Sequence, residues 1–441
     1  LRLHGFGFRG GRSGFGLRRG GRACAAGLQQ PCACRSRAGA QEMAARGGVH
    51  FALLCGFFDA EGNPLASGPE QTLKKAAAAF TKTTGFEFEA MGELEYYVIR
   101  EDEGVFPADD QHGYHESSPF AKGNDFRMRA MQLIAECGGK IKYGHSEVGN
   151  FIENGRCYEQ NEIEFLPVPA NECAEQLLIA KWVIRSLGYE EGLDITFAPK
   201  ITVGKAGSGM HIHMRIMKDG KNMMLEGGKL SKDARRAIAG MMDLAESITA
   251  FGNKNPTSYF RLVPHQEAPT NVCWGMSNRS VLVRVPLGWT SGEDMCHKAN
   301  NIEPLTARDY SIKQTVEMRS PDASADIYQL LAGLCVACRH GFEMANAEAE
   351  AERTFADGDI HDPKNAERYA TLAQLPDSCA ASADCLERQR KVYEEYDVFS
   401  PAMIDGIIKQ LRSYNDRTLR QEIEGKEMMM EKLVRQYFHC G

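Results

Sequence analysis

Five short stretches of this chain carry charged or imidazole side chains at every second position, and that pattern restricts the fold more than any other feature. They are GELEYYVI (Gly92 to Ile99), KYGHSEV (Lys142 to Val148), NEIEF (Asn161 to Phe165), MHIHMR (Met210 to Arg215) and QTVEMRSPD (Gln314 to Asp322). Successive side chains of a strand point to opposite faces, so each stretch gathers its charges on one face and its apolar residues on the other. Glu93 then shares a face with Glu95, His145 with Glu147, Glu162 with Glu164, His211 with His213, and Glu317 with Arg319. One such strand is equally well explained by a solvated sheet. Five, with arginines interleaved, fit a curved sheet or barrel with a charged interior, because charged side chains are seldom enclosed unless paired or bound to metal.

The rest of the chain supplies helices and turns around those strands. Apolar periodicity predicts helices over 70–80, from Asn124, over 171–188 with Asn171 as cap, over 231–251, over 324–351 and over 383–396, and Ser400-Pro401 begins a helical C-terminal region. Glu153-Asn154-Gly155 is a hairpin signal between two of the acidic strands. Gly207 and Gly209, just before His211, allow close backbone approach to a ligand. Pro264 and Pro269 hold Glu267 in a loop, and the strand after it carries Arg279 and Arg284.

Composition narrows the classes of function. Residues 1–48 contain nine arginines, no lysine and one acid, Glu42, among glycine repeats, a mixture that cannot build a core. Residues 1–50 are therefore expected to be a disordered or artefactual leader, and 51–441 the folded domain. Hydrophobic content of 43% with a net charge of −7 gives no basic excess that would mark nucleic acid as a partner. The 14 cysteines follow no regular framework and suit a reducing compartment, with Cys335 and Cys338 packed inside an apolar helix. No apolar run reaches the roughly 18 residues of a membrane span. A soluble, cytoplasmic protein is expected.

Carboxylates with one or two imidazoles suit Mg2+ or Mn2+, and arginines beside divalent metal suit phosphate. The residues alone thus point to metal-dependent phosphoryl transfer. No Walker loop, kinase motif set or dinucleotide-binding fingerprint competes with that reading.

Six separated motifs, GELEYY, HSEV with QNE, KAGSGMHIH, NPTSYFRLVPHQEAP, NRSVLVRVP and VEMRSPDASADIY, resemble in their order the glutamine synthetase family, in particular its bacterial dodecameric type, from about Phe51 to the C-terminus. The resemblance implies an α+β fold whose curved antiparallel sheet forms a funnel-like barrel lined by Glu, His and Arg and surrounded by helices. It implies two or more Mg2+ or Mn2+ ions, one held by Glu95, Glu147 and Glu162 and one by Glu93, His211 and Glu317. It further implies that Arg261 and Gly207 contact glutamate, that Arg279, Arg284 and Arg319 neutralise the transferring phosphoryl group, that His213 lies by the nucleotide, and that Glu267 is a flap residue accepting a proton. The implied reaction joins ammonium to the γ-carboxylate of L-glutamate at the expense of ATP, through γ-glutamyl phosphate, in a ring-based homo-oligomer, a dodecamer in that type. The alternatives are a γ-glutamyl ligase for another amine and a catalytically silent structural relative.

The chain also departs from the family pattern. Ala206 stands where an Asn usually precedes the motif glycine, and Thr315 stands where an Arg is common. Glu147 and Glu162 are several residues further apart than usual, which leaves Glu159 and Glu164 as alternatives to Glu162. The family's N-terminal β-grasp domain is not recognisable in residues 1–50. Ala373, in TLAQLP, replaces the tyrosine modified in regulated bacterial members, so adenylylation control is not expected.

Overall fold

The structure, a computed structural model, describes residues 32–35, 54–263, 268–288, 295–302, 310–423 and 425–440. The alternating stretches become the main strands of a ten-stranded sheet. Its principal strands are β1 (Glu87–Glu101), β2 (Ile141–Glu153), β3 (Arg156–Phe165), β4 (Met210–Lys218), β5 (Trp274–Met276), β6 (Val283–Val285) and β7 (Val316–Met318), in the spatial order β5-β6-β7-β4-β1-β3-β2. The short strands Val168–Pro169 and Asp194–Thr196 pair with β1, and Lys221–Asn222 pairs with β4. Cys32–Arg35 forms a separate ribbon with Leu54–Phe57.

Each strand divides its residues as alternation requires. Ala90, Leu94, Tyr96 and Val98 of β1, Ile163 of β3, Met210, Ile212 and Met214 of β4, Val283 of β6, and Val316 and Met318 of β7 all enter the main apolar core. Burying each of the Val, Leu, Ile and Met side chains among them contributes about 1.5–3 kcal/mol. Helices α1 (Pro69–Thr84), α2 (Asn124–Glu136) and α3 (Ala170–Glu191) pack on the sheet, and α4 (Lys232–Asp243), α5 (Ala245–Gly252), α6 (Pro256–Arg261) and α7 (Ile327–Glu343) follow, with α7 packed on α1 and α3 and with α4 and α5 packed on α7. Helices α4 and α7 touch backbone to backbone, since a Cβ on Gly341 would lie 1.8 Å from the carbonyl oxygen of Arg236. Cys335 and Cys338 are buried and free in α7, where burial pushes the Cys338 thiol up to about 12. The C-terminal part is helical, as expected: α8 (Ala347–Arg353), α9 (Cys379–Glu394), α10 (Pro401–Arg412) and the helix Glu427–Tyr437. Ser400 caps α10, its hydroxyl accepting the Met403 N–H at 3.3 Å. Among the described residues no helix is long and apolar enough to cross a membrane.

Several expectations are corrected. The sheet is mixed, not purely antiparallel, because β5 and β6 run parallel. A short loop after β5 carries the chain back to the start of that strand, with Ser277 at φ +51° and the Asn278 carboxamide oxygen accepting the Ser280 N–H at 2.9 Å. Arg279 therefore sits in that loop and not on a strand. Asn171 lies in the first turn of α3, whose cap position is Pro169, and α3 continues past Gly188 to a left-handed Gly192. The helices expected over 231–251 and 324–351 are each broken, at Leu244 and at Met344–Asn346. Periodicity reads apolar repeats across a break as readily as through a helix.

Candidate active site

The charged face of the sheet closes around two side-chain groups. In the first, β7 places Glu317 opposite His213 of β4, and β1 places Glu93 opposite His211. Glu93 lies 2.7 Å from His213 Nε2 and 3.0 Å from His211 Nδ1. Glu317, fully buried, accepts from Arg284 Nε at 2.5 Å on one oxygen, and its other oxygen lies within ion-pair distance of His211 Nδ1 at 3.2 Å and Arg319 Nε at 3.3 Å. Ligand atoms of Glu93, His213 and Glu317 fall within 4.8 Å of one another. His213 also contacts the Thr315 hydroxyl at 2.9 Å, so the residue that replaces the expected Arg holds an imidazole.

Electrostatics in this group follow from burial opposed by pairing. Burial raises the Glu93 carboxyl, but the His213 charge and hydrogen bonds from both imidazoles hold it well below the usual range. Burial and Glu93 raise Glu317, and His211 and His213 overcome them, bringing it to about 2. Burial lowers His211, and bonds to Glu317 and Glu93 override it, raising it to about 9.

The second group lies across β1, β3 and β2. Register sets Glu164 beside Glu93, Glu162 beside Glu95 and His145 beside Glu162. His145 Nε2 is 3.2 Å from Glu162 Oε1, and ligand atoms of His145, Glu162 and Glu164 again fall within 4.8 Å of one another. Glu95 accepts from the Gly209 N–H at 2.8 Å and from Gln160 at 3.0 Å. A bulge between Ser146 and Asn150 interrupts β2, so Glu147 leaves the regular alternation and lies 3.7 Å from His145 Nδ1. Glu159 is on the opposite face of β3, where it accepts the Lys122 N–H at 2.6 Å, so of the two alternatives to Glu162 only Glu164 joins the group.

Both groups border one cavity of about 570 Å³, which Gly207, Arg261, Arg279, Arg284 and Arg319 also line. Arg261 ends α6, and its guanidinium is fixed by the Ser320 and Arg319 carbonyls at 2.8 and 3.2 Å. A Cβ on Gly209 would stand 2.4 Å from that guanidinium, which is why the run needs glycine there. At Ala206 the backbone is clamped from both sides, by the Tyr97 hydroxyl at 2.8 Å and the Gln111 side chain at 2.7 Å. Glu267 lies outside the described residues. The geometry adds Tyr143, Lys200 and Gln160, the last donating to both Glu95 and the Gly207 carbonyl. Gln160 was legible, since it sits two residues before Glu162 on the same face. Lys200 precedes the glycine run in a segment without periodicity and gave no signal.

The donor set fits Mg2+ or Mn2+. Oxygen ligands dominate, and burial together with Glu93, Glu95, Glu147 and Glu164 pushes Glu162 well above the carboxylate range. A carboxylate so placed stays ionised only with a cation among its neighbours.

A family model described as "Glutamine synthetase, catalytic domain" matches residues 66–430. The glutamine synthetase of Methanococcus maripaludis is 34% identical over 239 residues, 53% of this chain and 52% of that protein. That of Thermus thermophilus is 31% identical over 298 residues, 66% of this chain and 60% of that protein. Over these matches the chain spans about half to three fifths of the relatives' length. Among solved structures, Plasmodium falciparum glutamine synthetase superposes with a TM-score of 0.69 at 19% identity, covering 90% of this chain and 85% of that one, a likeness of fold. With the matched model spanning most of the chain and a carboxylate–imidazole cavity on its sheet, the chain belongs to the glutamine synthetase family.

Proposed function

We propose that residues 51–441 form a catalytic unit that joins ammonium to the γ-carboxylate of L-glutamate with ATP, through γ-glutamyl phosphate, giving glutamine, ADP and phosphate. The observation that carries this reading is one cavity bordered by two carboxylate–imidazole groups and four arginines. Glu93, His211 and Glu317 would hold one divalent ion and Glu95, Glu147 and Glu162 another, with the sheet curved around them as a funnel. When bound, Mg2+ or Mn2+ draws negative charge from the phosphates and so eases transfer. Arg261 and Gly207 bind glutamate. Arg279, Arg284 and Arg319 meet the charge that develops on the transferring phosphoryl group, and His213 lies on the nucleotide side. A carboxylate is a poor electrophile, and its acyl phosphate is not, so ammonia attacks the second readily. Glu267 then takes the proton released by the attacking nitrogen and covers the acyl phosphate from water. A ring-based homo-oligomer is part of this reading.

Phosphate release from ATP and glutamate, measured across a panel of amines with ammonium included, tests it. Release with ammonium supports the reading. Release with another amine alone makes the chain a γ-glutamyl ligase of different specificity, and no release with any amine favours a silent structural relative.

A further inference from the structure

We propose that Arg420, which lies outside the cavity, is a positioning residue: it sets where Arg261 stands and so how tightly the protein binds a carboxylate substrate. This rests on reading Arg261 as the group that binds glutamate, and it brings in a part of the chain that the reading leaves unused. Helix α6 is six residues long, and Arg261 is the last of them. A helix ends in carbonyls that have no partner within it, and so short a helix has little else to hold its last turn. Arg420, from the short helix Leu419–Ile423, meets that need: its Nη2 donates to the Tyr259 carbonyl and, just past the end of α6, to the Leu262 carbonyl at 3.3 Å. Tyr259 and Leu262 are each 2% exposed, so water does not readily take over either bond. Arg261 lies between these two residues, and one guanidinium behind α6 thus fixes the backbone that carries the other.

The tip of the Arg261 side chain is tied as well, to the Arg319 and Ser320 carbonyls. Asn253 sets that turn, its amide donating to the Ser320 carbonyl at 2.8 Å and to the Asp322 carboxylate at 2.7 Å. With the tip anchored, a slip of the α6 backbone either breaks those bonds or turns the guanidinium plane, and forked recognition of a carboxylate tolerates little of either. The segment that carries Arg420 is itself fastened. Ile423, Met430 and Val434 bury together against Phe260, the residue before Arg261, and against Ile201, the residue after the cavity-lining Lys200. Further on, the Thr196 hydroxyl donates to the Phe438 carbonyl at 2.5 Å and Arg185 to the Cys440 carbonyl at 2.8 Å. Arg417 offers a contrast, because its bonds go to the Asp384 carboxylate and the Ala380 carbonyl of α9. It fastens the same segment to a different helix.

Two measurements on the full chain test the assignment: the KM values for glutamate and ATP, and calorimetric titration of L-glutamate with Mg2+ and ADP present. In Arg420→Ala the KM and the dissociation constant for glutamate are expected to rise about tenfold, with the KM for ATP within about twofold of the wild type. Arg420→Lys, which can still donate to the carbonyls, should recover most of that loss. Arg417→Ala removes only an exposed ion pair and should leave glutamate binding within about twofold. Unchanged glutamate binding in Arg420→Ala overturns the proposal. A loss shared equally by glutamate and ATP overturns it too, as does an equal loss in Arg417→Ala, since either marks a general loosening. If Arg420→Ala does not fold, Arg420→Gln, which keeps an amide donor for the carbonyls, decides by the same outcomes. A wild-type chain that binds no L-glutamate overturns the reading of Arg261 itself, a result seen before any variant is made.

Discussion

Glu317 is fully buried beside two arginines and an imidazole, and its environment shows how single residues divide the labour of the site. It pairs with Arg284 and Arg319 and, in the proposed function, faces the ion, so Glu317→Gln is expected to lower turnover on the order of 10²-fold while leaving the fold intact. Steady-state kinetics with circular dichroism checks both halves of that statement. A second residue matters for stability. Lys181 is buried in α3, its ammonium donating to the Ala323 carbonyl at 2.6 Å, and burial with the nearby Arg185 charge brings it down to about 7. Its folded pKa is thus below its unfolded value, so the unfolded chain binds the extra proton between about pH 7 and the ordinary lysine range. That contribution to stability is complete above the ordinary range and is lost as pH falls toward 7. Chemical denaturation of Lys181→Met between pH 7 and 10 should show a flatter dependence on pH than the wild type; parallel curves would contradict the assignment.

At the scale of elements, the charged faces were legible because a strand has a fixed period of two, and every alternating stretch lies in or beside a strand of one sheet. The hairpin was legible too: Asn154 and Gly155 take φ of +50° and +73°, as its turn requires. Gly155→Ala should cost about 1 kcal/mol in urea unfolding, since the left-handed conformation penalises a Cβ. What stayed hidden depends on long-range packing. The bulge that displaces Glu147 is set by Gln160, whose side chain accepts the Gly149 N–H at 3.0 Å, and no local pattern announces it. The α4–α7 crossing was hidden for the same reason. There Gly341→Val should destabilise by about 1–3 kcal/mol or more, because the added carbons meet Arg236 backbone rather than a movable side chain.

For the whole molecule, the sheet with helices packed on its apolar face leaves the opposite face to enclose charge, which a divalent cation would balance in the proposed function. A divalent ion that binds only the folded chain stabilises it by about 2.7 kcal/mol at a hundred times its dissociation constant. Saturating Mn2+ should therefore raise Tm by several degrees over the EDTA-treated chain, and scanning calorimetry should show it. In the proposed reaction the γ-carboxylate is activated by taking a phosphoryl group before nitrogen arrives. Glutamate labelled with 18O in its γ-carboxylate tests this most directly, because ammonia attack on an acyl phosphate expels phosphate with the bridging carboxylate oxygen. The account predicts one 18O in the inorganic phosphate for each glutamine formed. Unlabelled phosphate alongside glutamine, or no glutamine with Mg2+, ATP and ammonium all present, would contradict it.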